Sequence, residues 1–299
     1  MPPTQPRPPR SPAAQRFGQH PFTDPAQVPA LYADQIRVRR RSRALLDAKI
    51  QGMHVGEVIA ELLDTAATGL ATTHGVIADI GCGTGHPTRT LAQHFRHARL
   101  LALDASAPML TAARAHLREH LATGAHRVTY LQADFHHLPL ADAAYHAAVA
   151  VFCLYHSPHP ARAIAEITRC LVPGGAAVLV TKSSDSHHEL DDLVAATGLD
   201  PAATHRRSLY ETADSARLPE LTATALTVET VLHDRHVFRF RDAHHLAEYL
   251  ITVPKHQLPE PVRTTPGALA AELRRRRGDS PVTTTSTITC IVARRPARP

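Results

Sequence analysis

The sequence predicts an α/β protein built on a doubly wound, largely parallel sheet, and three observations carry that expectation. Between Val76 and Thr181, short apolar runs alternate with amphipathic helical stretches, the rhythm of βαβ units whose strands are covered on both faces. The first run passes straight into a glycine-rich loop, Gly81-Cys82-Gly83-Thr84-Gly85. At 299 residues, 43% hydrophobic and 20% charged, the chain can also bury a core without a disulfide or metal staple.

Residues 1–29 hold nine of the 24 prolines, with Pro2-Pro3 and Pro8-Pro9 as pairs, and read as a flexible tail. Residues 30–72 read as a helical cap. Val58, Ile59, Leu62 and Leu63 recur at helical spacing, and Arg37 to Arg43 form a basic face. Residues 73–182 form the expected core. Its strands are Val76–Ile80, Leu100–Leu103, Val128–Leu131, Ala147–Phe152 and Ala176–Thr181. Pro87 opens the first intervening helix, with Leu91 and Phe95 on its apolar stripe, and Pro108 opens the second. That second helix turns Leu110, Ala113, Leu117 and Leu121 inward, and a third spans Pro160–Leu171 until Pro173-Gly174-Gly175 stops it. Residues 183–221 read as a helical insertion or lid, with helices over Glu189–Leu199 and Leu209–Leu218. Residues 222–299 complete the sheet. Leu226–Phe240 is β-rich with a kink or turn at Asp234-Arg235, Asp242 caps a short helix to Leu250, and Val282–Val292 alternates as a final strand. Five parallel strands plus two antiparallel ones make seven.

Composition narrows the functional classes. The longest apolar stretch, Ala147 to Tyr155, is far short of the roughly 20 residues that a membrane-spanning helix needs. Arg7 and Arg10 are followed by Ser, Pro and Gln, which is no secretory leader. Four cysteines (Cys82, Cys153, Cys170, Cys290) lie far apart without a CxxC pair, which fits a reduced cytoplasm. The formal charge of +6 permits an anionic partner without demanding one. His116 and His120, His136-His137 and His244-His245 make pairs, but no third ligand stands beside them in a zinc pattern, so no metal is expected.

The glycine loop and three acids identify a ligand. Glycine lets the backbone turn tightly and lets a ligand approach with no Cβ in the way. A dinucleotide fingerprint fails, at His86 counted from Gly81 and at Thr88 counted from Gly83. Asp79, two residues ahead of the first glycine, would repel phosphate and suits a cationic amine. Asp104 ends the second strand, 19 residues after Gly85, where a carboxylate accepts both ribose hydroxyls. Asp134 ends the third strand and offers a carboxylate for an exocyclic amine, with Phe135 beside it for stacking. A nucleoside with a charged amino-acid arm satisfies all three, and S-adenosylmethionine is that ligand.

At these positions the chain resembles the class I S-adenosylmethionine-dependent methyltransferases, in the small-molecule, methyltransferase type 11 group that includes ubiquinone/menaquinone-biosynthesis-like enzymes. The matching pieces run in order from Asp79-Ile80-Gly81-Cys82-Gly83-Thr84-Gly85 through Leu103-Asp104-Ala105-Ser106 with Met109-Leu110, and Gln132-Ala133-Asp134-Phe135. Leu154-Tyr155-His156, Glu166-Ile167 and Pro173-Gly174-Gly175 continue it, over about residues 76–182. His146 and Val172 depart from the family's usual Asp and Lys. The resemblance implies a Rossmann-like sheet in which Gly81 and Gly83 present backbone to the methionine arm, Cys82 and Gly85 belong to the same cofactor-binding loop, and Asp79 orients the amine directly or through water. It further implies that Asp104 holds the ribose, Ala105 and Met109 pack near the adenine, and Asp134 and Phe135 take its amine and ring. Val151 and Phe152 would lie beside the methionine arm.

Tyr155-His156 falls where the family places its acceptor pocket, so His156 is the candidate general base, its pKa class suiting proton removal near neutrality, with Tyr155 orienting it or the acceptor. A small-molecule acceptor is the favoured partner, in specialised metabolism if the Ala-, Arg-, Pro- and His-rich composition reflects a GC-rich bacterial genome. The first alternative is an RNA-modifying methyltransferase using Arg37–Arg43 and Arg274–Arg277. Against it, strand four ends in Phe152-Cys153-Leu154-Tyr155 rather than an Asn/Asp-Pro-Pro-aromatic clamp, and aromatics are only 4% of residues. The second alternative is a protein that binds S-adenosylmethionine without transferring its methyl group.

Overall fold

In the computed structural model, residues 20–24, 26–67, 69–70, 74–121 and 127–297 are described. The central strand, β2 (Val76–Ile80), is apolar apart from Asp79 and buried beyond its first residue, as expected of a parallel strand covered on both faces. It pairs in parallel with β3 (Arg99–Asp104) on one side and β5 (Tyr145–Val151) on the other. Beyond these lie β4 (Val128–Gln132) and β6 (Leu171–Lys182), also parallel. Strands β7 (Thr227–Phe240) and β8 (Val282–Arg294) join antiparallel, and β1 (Lys49–Gln51) pairs with β7. The order is β1-β7-β8-β6-β5-β2-β3-β4, so chain direction away from the sheet reverses at β2. In open α/β sheets that reversal leaves a crevice at the strands' carboxyl ends.

Helices cover both faces. On one, Ile59 and Leu63 of α3 (Val55–Ala66), Leu91 of α4 (His86–His94) and Leu117 of α5 (Ala107–His120) pack over the strands. On the other, Ile164 and Ile167 of α6 (Pro160–Cys170) do so. A third apolar cluster joins α2 (Gln35–Ala48), α7 (His188–Ala196), α9 (Ala243–Leu250) and α11 (Pro266–Arg277) to Phe238 and Phe240 of β7. Three short helices, α1 (Val28–Ala33), α8 (Arg217–Ala223) and α10 (Glu260–Arg263), complete the set.

The structure departs from the sequence reading at five places. Pro173-Gly174-Gly175, read as the stop ahead of a strand from Ala176, lies inside β6, which begins at Leu171 with an irregularity in its pairing to β5. The sheet has eight strands, because Lys49 pairs with Phe238 and interrupts the expected helical cap; three residues are too few to display a period of two. Strand β7 runs unbroken through Asp234 and Arg235, which pair with Ile288 and Thr287. The Asp234 carboxylate accepts the Met53 N–H at 2.7 Å and pairs with His236 at 2.8 Å, so a polar residue read as a turn instead ties β7 to the chain after β1. Leu209–Leu218 is mostly turn, and its helix begins only at Arg217, where Asp214 accepts the Ala216 and Arg217 N–H groups. Of the flexible tail expected over residues 1–29, residues 1–19 lie outside the described residues, whereas Phe22 is 4% exposed and His20 bonds the Ser208 carbonyl at 2.8 Å. The cap at Asp242 is present, with its carboxylate accepting the His245 N–H at 2.9 Å.

Candidate active site

At the β2 switch point a cavity of about 1120 Å³ opens at the strands' carboxyl ends. Its floor is the glycine loop, where each glycine answers a different demand. Gly81 (φ +67°) and Gly85 (φ +82°) sit where a Cβ would meet Cys153 at 2.6 Å and Leu117 at 2.7 Å, so they allow close packing. Gly83 (φ +53°) faces open space in the cavity, and there the missing side chain leaves room for a ligand. Its N–H donates to Asp104 Oδ2 at 2.9 Å, and Ser106 N–H donates to Oδ1 at 2.8 Å. Asp104 is thereby fixed at the end of β3 in the cavity lining, each oxygen still able to accept another hydrogen bond, while burial raises its pKa.

Asp134, at the cavity rim, accepts both the backbone and the ring N–H of His136, at 2.9 and 2.7 Å. Burial pushes its carboxyl up, but those hydrogen bonds outweigh it and hold the pKa below the ordinary value. His136 Nε2 accepts in turn from the Ser157 hydroxyl at 2.6 Å, a relay that fixes the ring. Ala105, Met109, Phe135, Val151 and Phe152 all line the same cavity, as do Gly81 and Cys82. Phe152 stands in the left-handed region at φ +55°, a strain of ~1–3 kcal/mol for a non-glycine residue, and turns the chain so that its ring faces the cavity. The Cys82 thiol is driven far up by burial and acts as packing.

Two expected residues are placed otherwise. Asp79 is fully buried behind the loop and does not line the cavity; its Oδ2 accepts the Thr88 hydroxyl at 2.5 Å, its Oδ1 has no partner, and burial pushes its pKa up to about 7. From there it braces the loop against α4. Gly85 likewise stays under the loop, against α5.

His156 reaches the cavity but is no free base. Its Nδ1–H donates to the Cys153 carbonyl at 3.0 Å, and its Nε2 accepts the hydroxyl of Tyr32. Burial holds its imidazole down at about 3, which corrects the expectation of a base titrating near neutrality. Tyr155 is buried, stacked on Phe22 with ring centroids 5.7 Å apart and edge-on to Tyr210 at 5.0 Å. It forms a wall of the chamber.

The sequence reading expected a cap and a lid over the pocket but named none of the side chains that form the roof. Phe22, Tyr32 and Arg41 come down from the N-terminal segment, Tyr210 from the turn before α8 and Tyr249 from α9, and Lys182 rises from the end of β6. A cation at the carboxyl end of a central strand was a usable signal for Lys182. Tyr32 and His156 stand 124 residues apart, and nothing local marks the pairing. Among the described residues no group of three or more His, Cys, Asp or Glu side chains is placed to hold a metal ion.

Comparison with known proteins places the core. A family described as methyltransferase domain matches residues 78–179. A malonyl-[acyl-carrier protein] O-methyltransferase of Halorhodospira halophila is 31% identical over 130 residues, 44% of this chain and 42% of that protein. A 23S rRNA (guanine(748)-N(1))-methyltransferase of Streptomyces fradiae is 34% identical over 186 residues, 61% of this chain and 57% of that protein. The chain thus matches about half the length of these relatives. Among solved structures, the [4+2]-cyclase SpnF shares the fold at 20% identity with a TM-score of 0.55, covering 91% of this chain and 96% of that one. The YcgJ protein of Bacillus subtilis does so at 16% identity and 0.54, covering 81% and 100%.

Proposed function

We propose that this chain, a member of the methyltransferase domain family through residues 78–179, is an S-adenosylmethionine-dependent enzyme that methylates a small-molecule acceptor. The observation carrying this reading is that one continuous cavity is lined both by the glycine loop with its acids and by the aromatic roof. The residues present fit the cofactor. Gly83 leaves a space that a Cβ would fill, Asp104 has two oxygens still able to accept from the ribose, and Asp134 with Phe135 offers a carboxylate and a ring for the adenine. The bound cofactor supplies a methyl group on a sulfonium, open to in-line displacement.

The chain's own contribution is position and exclusion of water. Phe22, Tyr155 and Tyr210 pack into a wall over the carboxyl ends of β5 and β6, which keeps the acceptor aligned, the main source of rate in a displacement that needs no enzyme nucleophile. With Nδ1 donating to Cys153, the His156 ring can only accept at Nε2, so it takes the Tyr32 hydroxyl hydrogen and fixes that ring in the chamber wall. A ring held at about 3 is a poor base near neutrality. The site therefore suits a nucleophile that arrives without the proton to be removed.

A second reading, methyl transfer to RNA, is favoured by the match to the Streptomyces fradiae enzyme. Against it stands the fate of the arginine run. Arg275 and Arg276 are engaged by Glu272, Arg274 by Asp279 at 3.1 Å, and Arg277 by the Ser280 carbonyl at 2.6 Å, so the run caps α11 rather than lying free. The two are separated by incubation with S-adenosylmethionine carrying a labelled methyl group and either a low-molecular-mass metabolite extract or total RNA. Label is expected in the metabolite fraction. Label in RNA alone would overturn the small-molecule reading, and no S-adenosylhomocysteine with either would point to a binding protein without transfer.

A further inference from the structure

We infer that the chamber beyond the cofactor motif is an anion-binding subsite, in which Arg41 and Lys182 together take a carboxylate carried by an aromatic acceptor. This rests on the methyltransferase reading of the same cavity and names the class of its acceptor. Both side chains line the cavity, one from α2 and one from the end of β6. Among the described residues neither has a carboxylate within ion-pairing distance, although 18 such contacts are formed elsewhere, including His- and Arg-rich ones on the surface.

Two cations facing one desolvated space without a counterion oppose each other, and a protein keeps such an arrangement at a cost in stability unless something anionic enters. The mutual opposition is visible in Lys182, whose pKa burial and the Arg41 charge bring down to about 8. Arg41 is steadied by tyrosines: it donates to Tyr32, and the oxygens of Tyr155, Tyr249 and Tyr210 lie near it. None of these is a carboxylate, so the guanidinium retains donors for a planar anion, the geometry arginine serves best. The ammonium of Lys182 lies 5.4 Å from the centroid of Phe152 and 5.5 Å from that of Tyr210. It is thus held by ring faces and keeps its three N–H donors for a ligand.

The surroundings define the rest of the molecule bound. Phe22, Tyr155, Tyr210 and Phe238 present rings to the same space, which suits a flat apolar body. The position separates this subsite from the methionine arm. Lys182 ends β6, two strands from the glycine loop across β5, or about 10 Å at the ordinary strand spacing. Arg89, on α4 just after the glycine loop, also lines the cavity and is available to the cofactor's own carboxylate.

The test is calorimetric titration of the full chain loaded with S-adenosylhomocysteine, using 1-naphthoate and its neutral isostere 1-naphthamide. Naphthoate should bind at least tenfold more tightly than the amide. Arg41→Gln and Lys182→Met should each remove that preference, while S-adenosylhomocysteine affinity stays within threefold of the parent. Equal binding of the two probes, no binding of naphthoate, or variants that keep the preference would overturn the inference. A variant that loses S-adenosylhomocysteine tenfold while keeping naphthoate would assign the cations to the cofactor's carboxylate and overturn it as well. A parent that binds naphthoate selectively but never S-adenosylhomocysteine would leave the anion subsite standing and sink the methyltransferase reading instead.

Discussion

His156 donates through Nδ1 to the Cys153 carbonyl and accepts the Tyr32 hydroxyl at Nε2, so protonating it would break the second bond and charge a buried ring. Burial, helped by the nearby Arg41 and His20 charges and opposed by the Cys153 bond, brings its pKa to about 3 rather than near the value of a free imidazole. Its role is to position Tyr32. With an acceptor that is already ionised, the pH–rate profile between about pH 5 and 8 should carry no acidic limb belonging to His156. His156→Ala should lower kcat by only about tenfold, the scale of one lost hydrogen bond, without changing the profile's shape. A limb near pH 6.5 that vanishes in the variant would restore the histidine as a general base. Residue type and strand-end position pointed to His156, but its protonation is set by burial under the N-terminal segment and by the Arg41 and His20 charges, none of which is written in the local sequence.

At the scale of elements, the part that could be read was the part held by short-range rules. β2, β5 and β6 are buried on both faces and show as apolar runs, and Pro87, Pro108 and Pro160 mark helix starts because a proline's missing N–H costs nothing there. The acids at strand ends follow from the same periodicity. The side chains of the roof were opaque because they are held by long-range contacts: Leu209, Tyr210 and Ala213 are apolar at helical spacing yet lie in turns and a bend, buried by packing. The N-terminal elements bring three side chains to the chamber, Phe22, Tyr32 and Arg41, of which the first two precede residue 34. Removing residues 1–19 should leave turnover within about twofold. Removing residues 1–33 should lower kcat/KM by about a hundredfold, through lost exclusion of water and lost alignment, with S-adenosylhomocysteine affinity much less affected. Full activity of the longer truncation in a steady-state assay would contradict the roof's role.

Across the whole molecule, the 22 histidines govern behaviour in acid. Burial holds His156 at about 3, His116 at about 4, and His187 and His236 below the ordinary value. A depressed folded-state pKa means that the unfolded chain binds more protons, so the stability these groups contribute is present above about pH 6.5 and lost as pH falls toward 4 and 3. Asp79, raised to about 7, works the other way and gives up stability as pH rises from about 4 to 7. Burial also lowers His86 and raises Asp104, so five histidines against two aspartates make the first effect dominate. Thermal melts without ligand should therefore show the midpoint dropping steadily from about pH 6.5 to 4.5. A midpoint that is flat or rising over that interval would mean that the buried rings have found charged partners.

The account rests on the cavity at the β2 switch point holding S-adenosylmethionine through Asp104. Calorimetric titration of S-adenosylhomocysteine into the parent and into Asp104→Ala tests this most directly. The parent should bind one equivalent at micromolar affinity, about −8 kcal/mol, and the variant more than tenfold more weakly through loss of the ribose contacts. Unchanged affinity in a folded Asp104→Ala, or no saturable binding by the parent, would contradict it.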